Sequence, residues 1–120
     1  MTPLEKDIEK HLTRAVGRAG GLCMKWVCPG WSGVPDRIVL MPGGRIAFVE
    51  LKRPEGGRIS RLQTEWANRF RSLGFSFYFI HTHEGVKEFI DRELLGNHYT
   101  GVAFRNKFVD ETEVYKNDMG

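Results

Sequence analysis

The sequence predicts a single α/β domain with element order αβββαβα, and three observations carry that expectation. Apolar residues recur at helical spacing in three segments, around Leu4–Leu12, Leu62–Leu73 and Val86–Leu94. Between and around these segments lie four short runs rich in β-branched and aromatic residues, each bounded by Gly, Pro or Ser. The length of 120 residues suits one hydrophobic core.

Each element has its own local signal. Thr2-Pro3-Leu4-Glu5 opens the first helix: Thr2 can cap it, Pro3 suits the first helical position, and Glu5 can close a capping box. Leu4, Ile8, Leu12, Ala15 and Val16 form its apolar stripe, and the glycines between Gly17 and Gly21 end it. Leu22 to Val27 reads as a strand, followed by the turn-rich loop Pro29-Gly30-Trp31-Ser32-Gly33-Val34-Pro35, placed to carry function. Arg37 to Met41 and Arg45 to Leu51, joined by Pro42-Gly43-Gly44, read as an antiparallel hairpin. After a Gly- and Pro-bearing loop, Ser60 caps a second helix with Leu62, Trp66, Phe70 and Leu73 on one stripe, and Gly74 stops it. Ser76 to Ile80 is an aromatic strand, and Thr82 starts a third helix.

Composition narrows the function classes. The apolar fraction of 41% is that of an ordinary globule rather than a disordered chain. No run approaches the roughly 20 apolar residues that span a bilayer, and the N-terminus lacks the pattern of a secretory signal, so the expected location is the cytoplasm. Cys23 and Cys28 have no second Cys or His pair at zinc-site spacing and are expected to be reduced core thiols. Residues 96–120 hold three basic and four acidic residues, so the net charge of +3 leaves +4 on the first 95 residues. That modest excess is compatible with a polyanionic partner but does not demand one.

The hairpin carries the chemistry. If it is symmetric about Gly43, Leu40 faces Ile46, Ile38 faces Phe48, and Asp36 faces Glu50. Cross-strand neighbours have Cβ atoms about 4.5–5.5 Å apart, so two carboxylates would meet at the open end, although a two-residue turn would shift the pairing by one. Like charges so placed destabilise a sheet unless a cation sits between them, and two hard oxygen donors suit Mg²⁺ or Mn²⁺. Alternation puts Lys52 on the face of Glu50, with the Leu51 backbone carbonyl between them as a further metal ligand. A metal and an ammonium at one sheet end are what phosphodiester hydrolysis requires, whereas the plain alternative is a solvated charged stripe.

Gly33-Val34-Pro35-Asp36-Arg37-Ile38, followed fourteen residues after the Asp by Val49-Glu50-Leu51-Lys52, resembles the two halves of the PD-(D/E)XK nuclease signature. It is most similar to the VRR-NUC family, small nuclease domains found alone in phages and bacteria and at the C-terminus of a eukaryotic crosslink-repair nuclease, with Holliday-junction resolvases as more distant relatives. The resemblance runs from about Leu4 to Ile80. It implies a restriction-endonuclease-like αβββαβ core, a mixed sheet flanked by helices, in a nuclease domain over 1–95. It also implies Mg²⁺- or Mn²⁺-dependent DNA endonuclease activity with Asp36, Glu50 and Lys52 as catalytic residues. In the family an acid on the first helix completes the metal site, which nominates Glu5, with Glu9 as the fallback; a Gln at the start of the next helix corresponds to Gln63. Both Glu5 and Gln63 also have capping roles, compatible with the implied ones.

The resemblance further implies branched DNA as substrate, a homodimer, and a phage- or bacterium-encoded protein acting in the host cytoplasm. Arg53, Arg58, Arg61, Lys25 and Arg37 are candidate phosphate contacts, while Arg69 and Arg71 are expected to be solvated. Trp31 could stack on an unpaired base or pack over the core. The four histidines show no metal-ligand pattern and receive no role. The extension 96–120 contains Val102, Phe104, Phe108, Val109, Val114 and Tyr115, some of which are expected to pack on the domain or on a second copy.

Overall fold

A computed structural model describes residues 3–94. Its elements follow the expected order: α1 (Pro3–Arg18), β1 (Leu22–Lys25), β2 (Arg37–Met41), β3 (Arg45–Leu51), α2 (Arg61–Ser72), β4 (Ser76–Ile80) and α3 (His83–Leu94). Thr2 and the extension 96–120 lie outside the described residues, and with them the expected α1 cap and tail packing. None of the described helices is long and apolar enough to cross a membrane.

The strands form one mixed sheet in the order β1-β2-β3-β4. β1, β2 and β3 are successively antiparallel, whereas β4 runs parallel to β3, so the chain must cross the sheet between them and does so through α2. β1 stops at Lys25, two residues before its expected end, yet Trp26 N–H still donates to the Asp36 carbonyl at 2.9 Å.

Side-chain alternation divides the sheet between two cores. Val39, Met41, Ala47, Val49, Leu51, Tyr78 and Ile80 pack with Ile8, Leu12 and Val16 of α1 and with Val86 and Phe89 of α3. The opposite face turns Ile38, Phe48, Phe77 and Phe79 toward Ala67 and Phe70 of α2. Coverage of both faces explains why four of the five β4 residues are buried. It also explains why β4 reads as a continuous apolar run rather than an alternating one.

Three details differ from the expectations. Arg71 is 5% exposed, not solvated, and donates to the Phe77 carbonyl at 2.7 Å; its aliphatic stem fills the α2 interface while its head occupies a backbone acceptor. Leu62 and Leu73, expected on the apolar stripe of α2, are exposed, because Ala67, Phe70 and the Arg71 stem occupy the buried side. Cys23 and Cys28 are free but only half-buried, lying near the open β1 edge of the sheet.

Candidate active site

The turn of the β2–β3 hairpin is the three-residue link Pro42-Gly43-Gly44. Gly43 and Gly44 both have positive φ (87° and 78°), a region that side chains with a Cβ rarely enter. Met41 therefore faces Arg45, Leu40 faces Ile46, and Ile38 faces Phe48. This is the register expected from symmetry about Gly43; the paired residues end at Arg37 opposite Val49, and Asp36, the next residue out, lies close enough to Glu50 for its charge to act on that carboxyl.

The loop leading into Asp36 is fixed from both sides. Pro35 is fully buried, and the Asp36 carbonyl accepts both the Trp26 N–H and an N–H of the Arg37 guanidinium, each at 2.9 Å. Gly33 has φ 79° and lies so close to Leu62 that a Cβ would fall 2.7 Å from its Cγ. Exposed Leu62 thus serves as the floor on which the loop rests. Trp31 is 59% exposed and sits edge-on to Trp66 at 5.6 Å, while Trp66 Nε1 donates to the Ser32 carbonyl. The Trp31 ring packs on Trp66 at the surface and does not cover the core.

Glu50, Lys52 and Gln63 form a connected set on the α2 face. Gln63 Nε2 donates to Glu50 Oε2 at 3.0 Å, and Lys52 Nζ donates to Gln63 Oε1 at 2.6 Å. The same Gln63 oxygen accepts the Ser60 N–H at 3.0 Å, while Ser60 Oγ accepts the Gln63 N–H. The capping box at the start of α2 and the polar set around Glu50 therefore share one amide, so both capacities expected of Gln63 exist in a single conformation. Lys52 Nζ lies 3.9 Å from Glu50 Oε2, an ion pair reinforced by the shared amide.

The electrostatics of the two acids set this place apart. Burial, then the Asp36 charge, pushes the Glu50 carboxyl up to about 8, against opposition from Lys52. Burial also pushes Asp36 up to about 6, partly offset by the Leu51 N–H, which approaches Oδ1 at 3.4 Å. The shift is larger at Glu50 because the Asp36 charge adds to burial there, whereas at Asp36 the Leu51 N–H works against it. Both shifts run in the direction that burial and a neighbouring like charge give a carboxyl.

Glu5 acts electrostatically on Asp36, Glu50 and Arg37, so the first turn of α1 faces the pair. Among the described residues, however, no group of three or more His, Cys, Asp or Glu side chains is close enough to hold a metal together. The donor set present is two carboxylates with the adjoining Leu51 backbone, a set of hard oxygens that fits Mg²⁺ or Mn²⁺ completed by water. Glu9, the fallback acid, is engaged in an ion pair with Arg37.

Arg37 was expected to contact phosphate. It is instead 4% exposed, with its guanidinium between Glu9 and the Asp36 carbonyl. Its odd position in β2 turns it to the α1 face, yet its guanidinium still lies 3.9 Å from Asp36 Oδ1 and within reach of the Glu50 charge. Arg53, Arg58, Arg61 and Lys25 are exposed, as a phosphate contact requires. Arg69 lies over the Trp66 ring at 5.1 Å.

Sequence reasoning missed the Arg37–Glu9 pair and the contact between His11 Nδ1 and His83 Nδ1 at 2.7 Å. Glu9 one turn after Glu5 was a signal for the first. The second joins residues 72 positions apart, and no local pattern announces it.

Comparisons with known proteins agree with this geometry. Residues 27–84, the span holding Asp36, Glu50, Lys52 and Gln63, match the model of the VRR-NUC domain family. A solved structure described as a VRR_NUC domain superposes with TM-score 0.68 and 29% identity, covering 82% of this chain and all of the other. "Putative nuclease p44" of Acyrthosiphon pisum secondary endosymbiont phage 1 is 54% identical over 50 residues, or 42% of this chain; the match spans 54% of that relative, about half its length. A family match centred on the hairpin, a shared fold and a phage relative converge: residues 27–84 match the VRR-NUC domain, and the chain shares the fold of a solved VRR_NUC domain.

Proposed function

We propose that this protein is a metal-dependent DNA endonuclease that hydrolyses phosphodiester bonds with Asp36, Glu50 and Lys52. The observation that supports this reading most is the proximity of Asp36 and Glu50 at the open end of the hairpin, both carboxyls raised by burial and by a neighbouring acid, with the Lys52 ammonium 3.9 Å from Glu50. Two acids that would gain from a shared divalent cation are otherwise a liability to the sheet.

Asp36, Glu50 and the Leu51 carbonyl would hold Mg²⁺ or Mn²⁺, with Glu5 reaching in directly or through water. When bound, such an ion activates water and polarises the phosphoryl oxygens. Lys52 orients the nucleophile or balances charge developing on the phosphoryl group. Gln63 keeps the Lys52 ammonium from collapsing onto Glu50, since its oxygen holds Nζ while its Nε2 occupies Glu50 Oε2. Arg53, Arg58 and Arg61, exposed on the β3–α2 loop and at the start of α2, supply phosphate contacts that carry affinity without sequence preference.

The finer reading is structure selectivity for branched DNA by a homodimer in the host cytoplasm. It rests on the likeness to junction resolvases, and on the two-fold relation that paired nicks in a four-way junction require. Exposed Trp31 beside the Asp36 loop is available to stack on an unpaired base. The test is incubation of four-way, flapped and linear duplex DNA with and without Mg²⁺ or Mn²⁺, with products sized on a denaturing gel. Metal-dependent cuts concentrated at branch points support the full proposal. Cuts at defined sites in linear duplex would redirect it to a sequence- or lesion-directed endonuclease, and no cleavage of any substrate with either metal would overturn it.

A further inference from the structure

Helix α1 carries two polar edges. Glu5 and Glu9 turn toward Asp36 and Arg37. On the other side Lys10, Arg14 and Arg18 recur at i, i+4 and i+8, a spacing that stacks side chains in one row. With Asp7, His11 and the His83 of α3, they line a groove of about 370 Å³.

The groove is electrostatically one-sided. Three permanent cations face a single carboxylate, Asp7, and none of the three has an ion-pair partner among the described residues. All three are exposed. The adjoining depression between α1 and α3 adds Glu84, Lys87 and Asp91, a net charge of −1 that offsets one of the cations and leaves the Lys10–Arg18 row as the source of the positive field. His11 Nδ1 and His83 Nδ1 meet at 2.7 Å beside the row, and burial, the facing ring and then Arg18 hold His11 below its usual range.

We propose that the Lys10–Arg14–Arg18 edge of α1, closed by His11 and His83, is a binding groove for the phosphate backbone of DNA, separate from the carboxylate pair. This rests on the nuclease reading and extends it to a second part of the substrate. Residues four apart on a helix are ~6 Å apart along its axis. The row therefore spans ~12 Å, enough to meet about three successive phosphates of one strand, each rising about 3.4 Å. Arginine forks suit phosphate oxygens, and the imidazole pair adds one N–H donor at the rim, the other N–H being used in the contact between the two rings. The groove and the Glu5–Glu9 edge lie on opposite sides of a helix about 10–12 Å across. Backbone held in the groove is thus not the bond being cut, but the complementary strand or a neighbouring arm.

The experiment measures binding of a fluorescent 20-base-pair duplex by anisotropy from 50 to 300 mM KCl, using the full chain with Asp36→Asn so that no cleavage occurs. In that background, Lys10→Ala with Arg14→Ala is expected to weaken binding about tenfold at 100 mM KCl. It should also lower the slope of log affinity against log salt by about 2, at roughly 0.9 per lost phosphate contact. Lys10→Arg with Arg14→Lys should restore both, and circular dichroism checks that all the proteins are folded. Unchanged affinity and slope in the alanine protein would overturn the proposal while leaving the nuclease reading intact. Absence of any duplex binding by the Asp36→Asn protein at 50 mM KCl would count against both.

Discussion

Replacing Glu50 by Gln should make the metal-free protein more stable, and the gain should grow with pH. The ordinary Glu value is 4.5, and in the fold the carboxyl is raised to about 8. Between these values the folded chain binds more protons than the unfolded one, so stability falls as pH rises from about 4.5 to about 8 and is fully retained only below the lower limit. At pH 7 the folded chain forgoes about 3 kcal/mol of the ionisation free energy that the unfolded chain enjoys. Part of that repulsion is relieved at Asp36, so a gain of about 1–3 kcal/mol is expected for Glu50→Gln. Gln can still accept the Gln63 Nε2 bond, so the contact given up is the 3.9 Å ion pair with Lys52, whose opposition is already included in the raised Glu50 value. For a domain of this size, 1 kcal/mol moves Tm by roughly 4–8 °C, so the increase should reach at least about 5 °C at pH 7 and shrink toward zero near pH 4.5. Thermal melts in EDTA at both pH values measure it. An equal shift at the two pH values, or a lower Tm for the variant at pH 7, would refute the claim that the acid pair is held under electrostatic strain.

Four further outcomes follow from the same geometry. Mn²⁺ affinity should rise with pH up to about 8, because both acids carry raised values and the ion must displace a proton; calorimetric titration in buffers of different ionisation enthalpy would detect that proton's release. Gln63→Ala should cost about 1 kcal/mol through the lost capping box and also slow cleavage, whereas Ser60→Ala should reproduce the stability loss with a smaller effect on rate. Arg71→Ala should destabilise the fold by about 2–3 kcal/mol in denaturant titrations, unlike an exposed arginine, because it strips the donor from a buried carbonyl. Asp36→Asn should lower metal-dependent cleavage by at least about a thousandfold on a branched substrate while leaving the circular dichroism spectrum unchanged.

How much of this was legible in the sequence depends on how far apart the partners lie. The hairpin register followed from Pro42-Gly43-Gly44 and the flanking apolar runs, so the Asp36–Glu50 proximity was readable across only fourteen residues. The α2 capping box was likewise written into Ser60 and Gln63. Residues whose partners come from distant elements were not readable. Arg37 looked like any basic residue beside a motif until α1 brought Glu9 to it, and Arg71 looked solvated until β4 placed the Phe77 carbonyl under α2. The His11–His83 contact needed the packing of α1 against α3. Glu5 shows the converse: the resemblance pointed to it, and the structure brings its charge to bear on Asp36 and Glu50 without gathering three acids into one cluster.

The central claim is that one divalent ion sits between the Asp36 and Glu50 carboxylates, and anomalous diffraction from crystals grown with Mn²⁺ tests it most directly. The account predicts a single strong peak bridging an oxygen of each acid at about 2.1–2.3 Å, close to the Leu51 carbonyl, and no such peak in the Glu50→Gln protein. A peak elsewhere, or an empty space between the two acids at saturating Mn²⁺, would contradict it.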